Sequence, residues 1–191
     1  APRSTRSFGE FKSMITLDIP QANALDTVRR VVKVISMGAS SSESVAALAQ
    51  YSSRHANYRI HAARILGLVH SEGDTLSIMP KGEQLLETQP YSAQERSVLF
   101  SAIESSAVIQ VLTPDLLTLC PPSREELTER LFKNSKLSRE TAHRRANGLL
   151  SWRRYVLGES ISPAAPGSGK TAAKKSTKRT KSMFGEQLSL F

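Results

Sequence analysis

Two stretches of this chain carry side chains of the kind that read and grip nucleic acid. Arg54, Asn57, Tyr58, Arg59 and Arg64, with His55 and His61 among them, share one segment. A guanidinium pairs in two-pronged fashion with guanine O6 and N7, and an Asn amide with adenine N6 and N7. On a helix these residue types suit major-groove readout of double-stranded DNA. The second stretch holds Lys136, Arg139, Arg144, Arg145, Arg153 and Arg154 against the single acid Glu140. Arg outnumbers amide side chains there, which suits gripping phosphate more than reading bases. Each stretch also has a plain reading, as a solvated helix face or a surface for a protein partner.

Residues for bond-breaking chemistry do not assemble. Asp115, Glu125 and Glu126 resemble part of a nuclease carboxylate set, but the Glu-x-Lys that should follow is missing, so Asp115 reads as a turn residue and the glutamates as the acidic first turn of a helix. His55, His61, His70 and His143 have no spacing that converges on a metal, and the single cysteine, Cys120, has no local nucleophile signature. Ala164-Ala165-Pro166-Gly167-Ser168-Gly169-Lys170-Thr171 satisfies the loose phosphate-loop pattern. A real phosphate loop joins a buried strand to a helix, and only twenty residues, rich in Lys, Ser and Thr, follow this one. The expectation is a chain that is not an enzyme, with no metal and no cofactor.

The elements that must position the two basic stretches follow from apolar spacing. Leu25, Val28, Val31, Val32 and Ile35 form a helical stripe that ends before Gly38. Serines 40 to 42 cap a short helix from Ser44 to Gln50, and a third helix runs from Arg54 to Leu66 with Ile60, Ala63 and Leu66 inward. Leu68-Val69-His70 and Thr75-Leu76-Ser77-Ile78 alternate as two strands around Gly73, and Pro80 opens a helix carrying Leu85 and Leu86. Three helices and a two-stranded ribbon are the order of a winged helix-turn-helix, although Glu72 and Asp74 make its wing acidic. Further on, Ser92 caps a helix through Val98, Leu99, Phe100 and Ile103. Ser123 and Glu126 stand at capping-box spacing, and Ser138 opens a long helix with the stripe Ala142, Ala146, Leu149, Leu150, Trp152 and Val156. That stripe leaves Arg139, His143, Arg144, Asn147, Arg153 and Arg154 mostly on other faces, and Trp152 is expected to lock the helix to the core.

The fold class expected is therefore mainly α: a winged helix-turn-helix domain over 24–88, then a second helix-turn-helix-like unit over 89–158, with 1–23 as an N-terminal extension. The 191 residues carry 26 Lys+Arg against 17 Asp+Glu, a formal net charge of +9, which favours an anionic partner. The excess is concentrated at the end, where Lys170, Lys174, Lys175, Lys178, Arg179 and Lys181 face only Glu159 and Glu186. This segment, 159–186, is rich in Pro, Gly, Ser and Thr and is expected to be a disordered basic linker with a reach of roughly 30 Å, its Lys174, Lys175, Lys178 and Arg179 attracting DNA phosphate. No apolar run approaches the roughly 20 residues that span a bilayer, so no membrane association is expected and a cytoplasmic, nucleoid-associated location is. Self-association is left open.

The final pentapeptide, Gln187-Leu188-Ser189-Leu190-Phe191, resembles the motif by which many bacterial polymerases, repair factors and initiators bind the replication sliding clamp. An apolar Leu-x-Leu-Phe tip beyond a charged linker is poorly placed for a domain core and well placed for a short linear ligand. The resemblance implies that Gln187 takes the polar side of a cleft on the clamp, Leu190 and Phe191 fill an apolar pocket, and Leu188 covers a neighbouring groove, with Ser189 in the same clamp-binding peptide. The implied partner is the β sliding clamp of a bacterial DNA polymerase. Residues 24 to 157 resemble in pattern the winged-helix regions of bacterial replication initiators and of restriction or defence proteins. The combined expectation is a DNA-binding adaptor for the clamp, acting in replication, repair or mobile-element replication. The alternative is a winged-helix transcriptional regulator or the DNA-recognition subunit of a restriction or defence system.

Overall fold

The computed structural model describes residues 19–159. The pentapeptide 187–191, the tail cations Lys174, Lys175, Lys178 and Arg179, the glycine-rich run at 164–171 and most of the expected extension 1–23 lie outside the described residues. The described part is mainly helical with one small sheet: α1 (Leu25–Ser36), α2 (Ser42–Ala49), α3 (Ser53–Ile65), β1 (Val69–Glu72), β2 (Thr75–Ile78), α4 (Pro80–Glu87), α5 (Ala93–Glu104), α6 (Ala107–Leu112), α7 (Arg124–Lys133) and α8 (Arg139–Leu157).

Local chemistry sets most of these boundaries. The α1 stripe is buried from Leu25 to Ile35, and Gly38, at a φ of 105° that side chains rarely adopt, ends the helix by donating its amide to the Ile35 carbonyl. Ser41 and Ser44 form a reciprocal capping box at the start of α2. Ser52, Ser92 and Ser138 each accept a hydrogen bond from the third residue beyond them, and Ser123 and Glu126 form the anticipated box. The hairpin turns on Gly73-Asp74, with Gly73 left-handed at the first turn position as a II′ turn requires. Its register pairs Val69 with Ile78 and Ser71 with Leu76, which puts these four on the face toward the body and His70 outward.

Helix α1 lies at the centre, packed by α2, α3, α4 and β2. The amide of Leu76 in β2 donates to the carbonyl of Ser40 at 2.8 Å, so the chain between α1 and α2 lies along the hairpin edge. Gly82 lets α4 sit against the backbone of Leu68, whose carbonyl oxygen would be 2.3 Å from any Cβ at position 82.

Helix α6 was not anticipated. Its six residues, Ala107-Val108-Ile109-Gln110-Val111-Leu112, carry too few polar positions to show a helical period, and only Ile109 and Leu112 are buried. Helices α7 and α8 make the most extensive helix pairing of the described residues, and α8 also packs on α5. A single hydrophobic core runs from Ile19 through α1 to Val156, so the helices on either side of position 88 share one interior. Residues ahead of α1 take part: Ile19 and Ala22 are buried, and the fully buried Trp152 donates its indole N–H to the Ala22 carbonyl at 3.0 Å. Trp152 thus does lock α8 to the core.

Candidate nucleic-acid interface

Helix α2, the three-residue turn 50–52 and helix α3 make a tight corner, closed by Gln50 in a left-handed conformation. Tyr51 in that turn is flanked by two cations, the Arg59 guanidinium 4.2 Å from its ring centroid and that of Arg30 at 5.5 Å. On α3, Arg54, Asn57, His61 and Arg64 follow one another at helical spacing along a single stripe, next to buried Ile60. Arg54, Asn57 and Arg64 are exposed. Arg54 is steadied by its own helix, donating to the Tyr58 hydroxyl with its guanidinium over that ring.

Arg59 is placed differently. It lies off the stripe, half-buried, clamped over Tyr51 and donating to the His55 carbonyl at 2.9 Å. Its guanidinium is committed to holding the α2–α3 corner. Beside the stripe, Asn57, His61 and Arg64 share a cavity of about 420 Å³ with Glu43 of α2 and Asp74 of the hairpin turn. The two carboxylates put negative charge at the hairpin end of the surface.

The six cations of the second stretch do not form one free patch. Arg139 is paired with Glu129 of α7 and lies over the Phe132 ring. Arg145 is half-buried and donates to the Ile19 carbonyl at 2.9 Å. Burial holds its pKa below the ordinary value, against the pull of the nearby Tyr58 of α3 and with the push of Arg144. Arg153, read from the sequence as outward, is nearly buried between the Thr118 carbonyl and the Glu159 carboxylate. Its place off the apolar stripe of α8 is legible in the sequence, but the loop 113–123 that folds over it is not. Arg144, which also donates to Thr141, and Arg154 are exposed.

Of the cations in the two stretches, Arg54 and Arg64 on α3 and Arg144 and Arg154 on α8 are exposed, with Asn57 beside the first two. A family model described as Domain of unknown function (DUF7226) matches residues 27–160. The chain belongs to that family. The matched span runs from the third residue of α1 through the end of α8, so the α3 surface and the α7–α8 pair belong to one domain model. No curated protein and no solved structure matches the chain. No helix among the described residues is long and apolar enough to cross a membrane.

Among residues that sequence reasoning left aside, Ser71 and Ser106 stand out. Both line the same cavity next to Arg64. No periodic signal marks either one, because a strand and a helix junction remote in sequence bring them there.

Proposed function

We propose that this chain is a non-enzymatic DNA-binding adaptor that engages the bacterial replication sliding clamp through Gln187-Leu188-Ser189-Leu190-Phe191. The observation that carries the DNA half is the uncovered stripe of α3, where Arg54, Asn57 and Arg64 are exposed side by side directly after a tight helix–turn–helix corner. The hairpin β1–β2 follows α3 at once, and its second strand bonds to Ser40 between α1 and α2. That arrangement supports reading 24–88 as a winged helix whose third helix enters the major groove. Arg144 and Arg154, with Lys174, Lys175, Lys178 and Arg179, add sequence-independent phosphate contacts. The clamp half rests on the pentapeptide alone. Bound there, the chain raises the local concentration of DNA at its helical domain, so that a few weak contacts suffice.

The test is binding of the full chain to a purified bacterial sliding clamp and, separately, to duplex DNA. Leu190→Ala with Phe191→Ala removes the two apolar anchors and is expected to abolish clamp binding while leaving free-DNA affinity unchanged. Clamp binding that survives the double substitution overturns the adaptor reading. Strong operator-like sequence preference with no clamp binding replaces it with the regulator reading.

A further inference from the structure

A cavity of about 670 Å³ opens between the C-terminal half of α3, strand β1 and the junction of α5 with α6. Its polar lining is His61, Arg64, His70, Ser71 and Ser106, with no carboxylate among the lining residues. The adjoining cavity shares His61, Arg64 and Ser71 but adds Glu43 and Asp74. Of the two, only the first suits an anion.

Ser106 supplies the second observation. It occupies the N-cap position of α6, where a serine side chain ordinarily accepts a backbone amide, yet it makes no such bond. The residue is 4% exposed, and its hydroxyl has no hydrogen-bond partner. A buried hydroxyl left unspent at the wall of a cationic cavity calls for a ligand atom to complete it. Next to it, Lys81 of α4 donates to the Ser105 hydroxyl at 2.6 Å, bringing a further positive charge to the same junction. Ile65, Val69 and Val108 form an apolar wall, and the volume lies in the range of small-molecule sites.

The geometry points to a phosphate-binding site in this cavity, with Arg64 as the charge partner and the Ser106 hydroxyl as the hydrogen-bonding group. Guanidinium and hydroxyl donors around a concave pocket are the donor set a phosphate ester takes. The phosphate comes either from the DNA backbone beside α3 or from a free phosphorylated small molecule whose body covers the apolar wall. The site goes beyond the adaptor reading, and phosphate binding stands or falls without any DNA present.

Inorganic phosphate is titrated into the full-length chain while the imidazole signals of His61 and His70 are followed by NMR. The expected result is saturable movement of both rings, with affinity about tenfold weaker in Ser106→Ala and in Arg64→Gln, and partly recovered in Arg64→Lys. Ser106→Ala removes a hydroxyl that has no partner, so its melting temperature should match that of the unsubstituted chain. Adenosine 5′-monophosphate and duplex DNA separate the sources. Displacement of phosphate by DNA, with weaker DNA binding in Ser106→Ala, assigns the site to the DNA backbone. Binding of the monophosphate about tenfold tighter than phosphate, undisturbed by DNA, assigns it to a free ligand. Rings that stay still with both phosphate and the monophosphate, or shifts that persist unchanged in Ser106→Ala and Arg64→Gln, overturn the proposal.

Discussion

The phenolic hydroxyl of Tyr155, near the end of α8, donates to the buried carboxylate of Glu95 in α5 at 2.7 Å. The same carboxylate takes the Arg29 guanidinium of α1 at 3.1 Å and the backbone amide of Tyr91. Arg29 in turn donates to the carbonyls of Leu85 and Thr88, which end α4. Glu95 and Arg29 thereby tie α1, α4, α5 and α8 together, and α1 is the helix that backs the α3 corner.

Removing Glu95 should be among the most damaging single changes. Glu95→Ala leaves the Arg29 guanidinium, 12% exposed, without its counter-charge, a loss on the order of 3–5 kcal/mol. Tyr155→Phe deletes one hydrogen bond to a charged acceptor and should cost about 1.5–3 kcal/mol. Chemical denaturation of the two variants measures both. Burial, followed by the Glu95 hydrogen bond, also pushes the Tyr155 phenol above its ordinary value of 10.0. A raised folded-state value means this contribution is complete below pH 10 and lost as pH rises further, so Tyr155→Phe should flatten the alkaline fall in stability.

The two helical glycines with close neighbours should respond in opposite ways. A Cβ at Gly82 would lie 2.3 Å from the Leu68 carbonyl oxygen and 2.9 Å from Ile78, and backbone there has no room to retreat. Gly82→Ala should destabilise by more than about 2 kcal/mol and loosen the hairpin. At Gly148 the obstacle is the side-chain oxygen of Asn23, at 2.7 Å, which a rotamer change can clear. Gly148→Ala should then fall near neutral or gain up to about 1 kcal/mol from helix propensity. Thermal melts of the pair decide it.

Acid should release the loop that covers Arg153. Asp115 accepts two bonds from Arg130 of α7, at 2.7 and 2.9 Å, and one from Thr113. The Arg130 bonds hold the Asp115 carboxyl below its ordinary value of 3.8. With the folded value depressed, the pair contributes fully above that pH and its contribution fades as pH falls through the folded value. Both side chains are about a third exposed, so solvent screening limits the effect to about 0.5–1 kcal/mol. Asp115→Asn should lose that amount at pH 7 and nothing at the acid end, as read by denaturation at a series of pH values.

On DNA, the arginines of α3 should divide by where they sit. Arg54→Ala and Asn57→Ala should each cost about 1–3 kcal/mol on a preferred sequence and little elsewhere. Arg59→Ala should lower thermal stability with little loss of base discrimination, because its guanidinium is spent on Tyr51. Neutralising Lys174, Lys175, Lys178 and Arg179 should weaken binding to every sequence alike and reduce the salt slope by about 0.9 per lost contact. Fluorescence anisotropy over a range of salt concentrations separates these outcomes.

What the amino-acid sequence determined by itself is the set of elements whose causes are local. Serine caps at 41, 92, 123 and 138, Gly38 after α1, Gly73 in the hairpin and the apolar stripes of α1, α3 and α8 act within a few residues of chain, so spacing alone reveals them. The polar stripe of α3 was legible for the same reason. Tertiary packing alone decided which of those polar groups are spent. Ser92 and Glu95 stand at capping distance, yet the Glu95 carboxylate turns inward to Arg29 and Tyr155, which lie 66 and 60 positions away. Arg59 is withdrawn by Tyr51, Arg145 by Ile19 and Arg153 by Thr118 and Glu159, while Ser106 is left with an unused hydroxyl at a cavity wall. Hydrogen bonds and charge pairs between distant segments leave no period in the sequence, because loop closure and core packing determine which of many compatible partners meet.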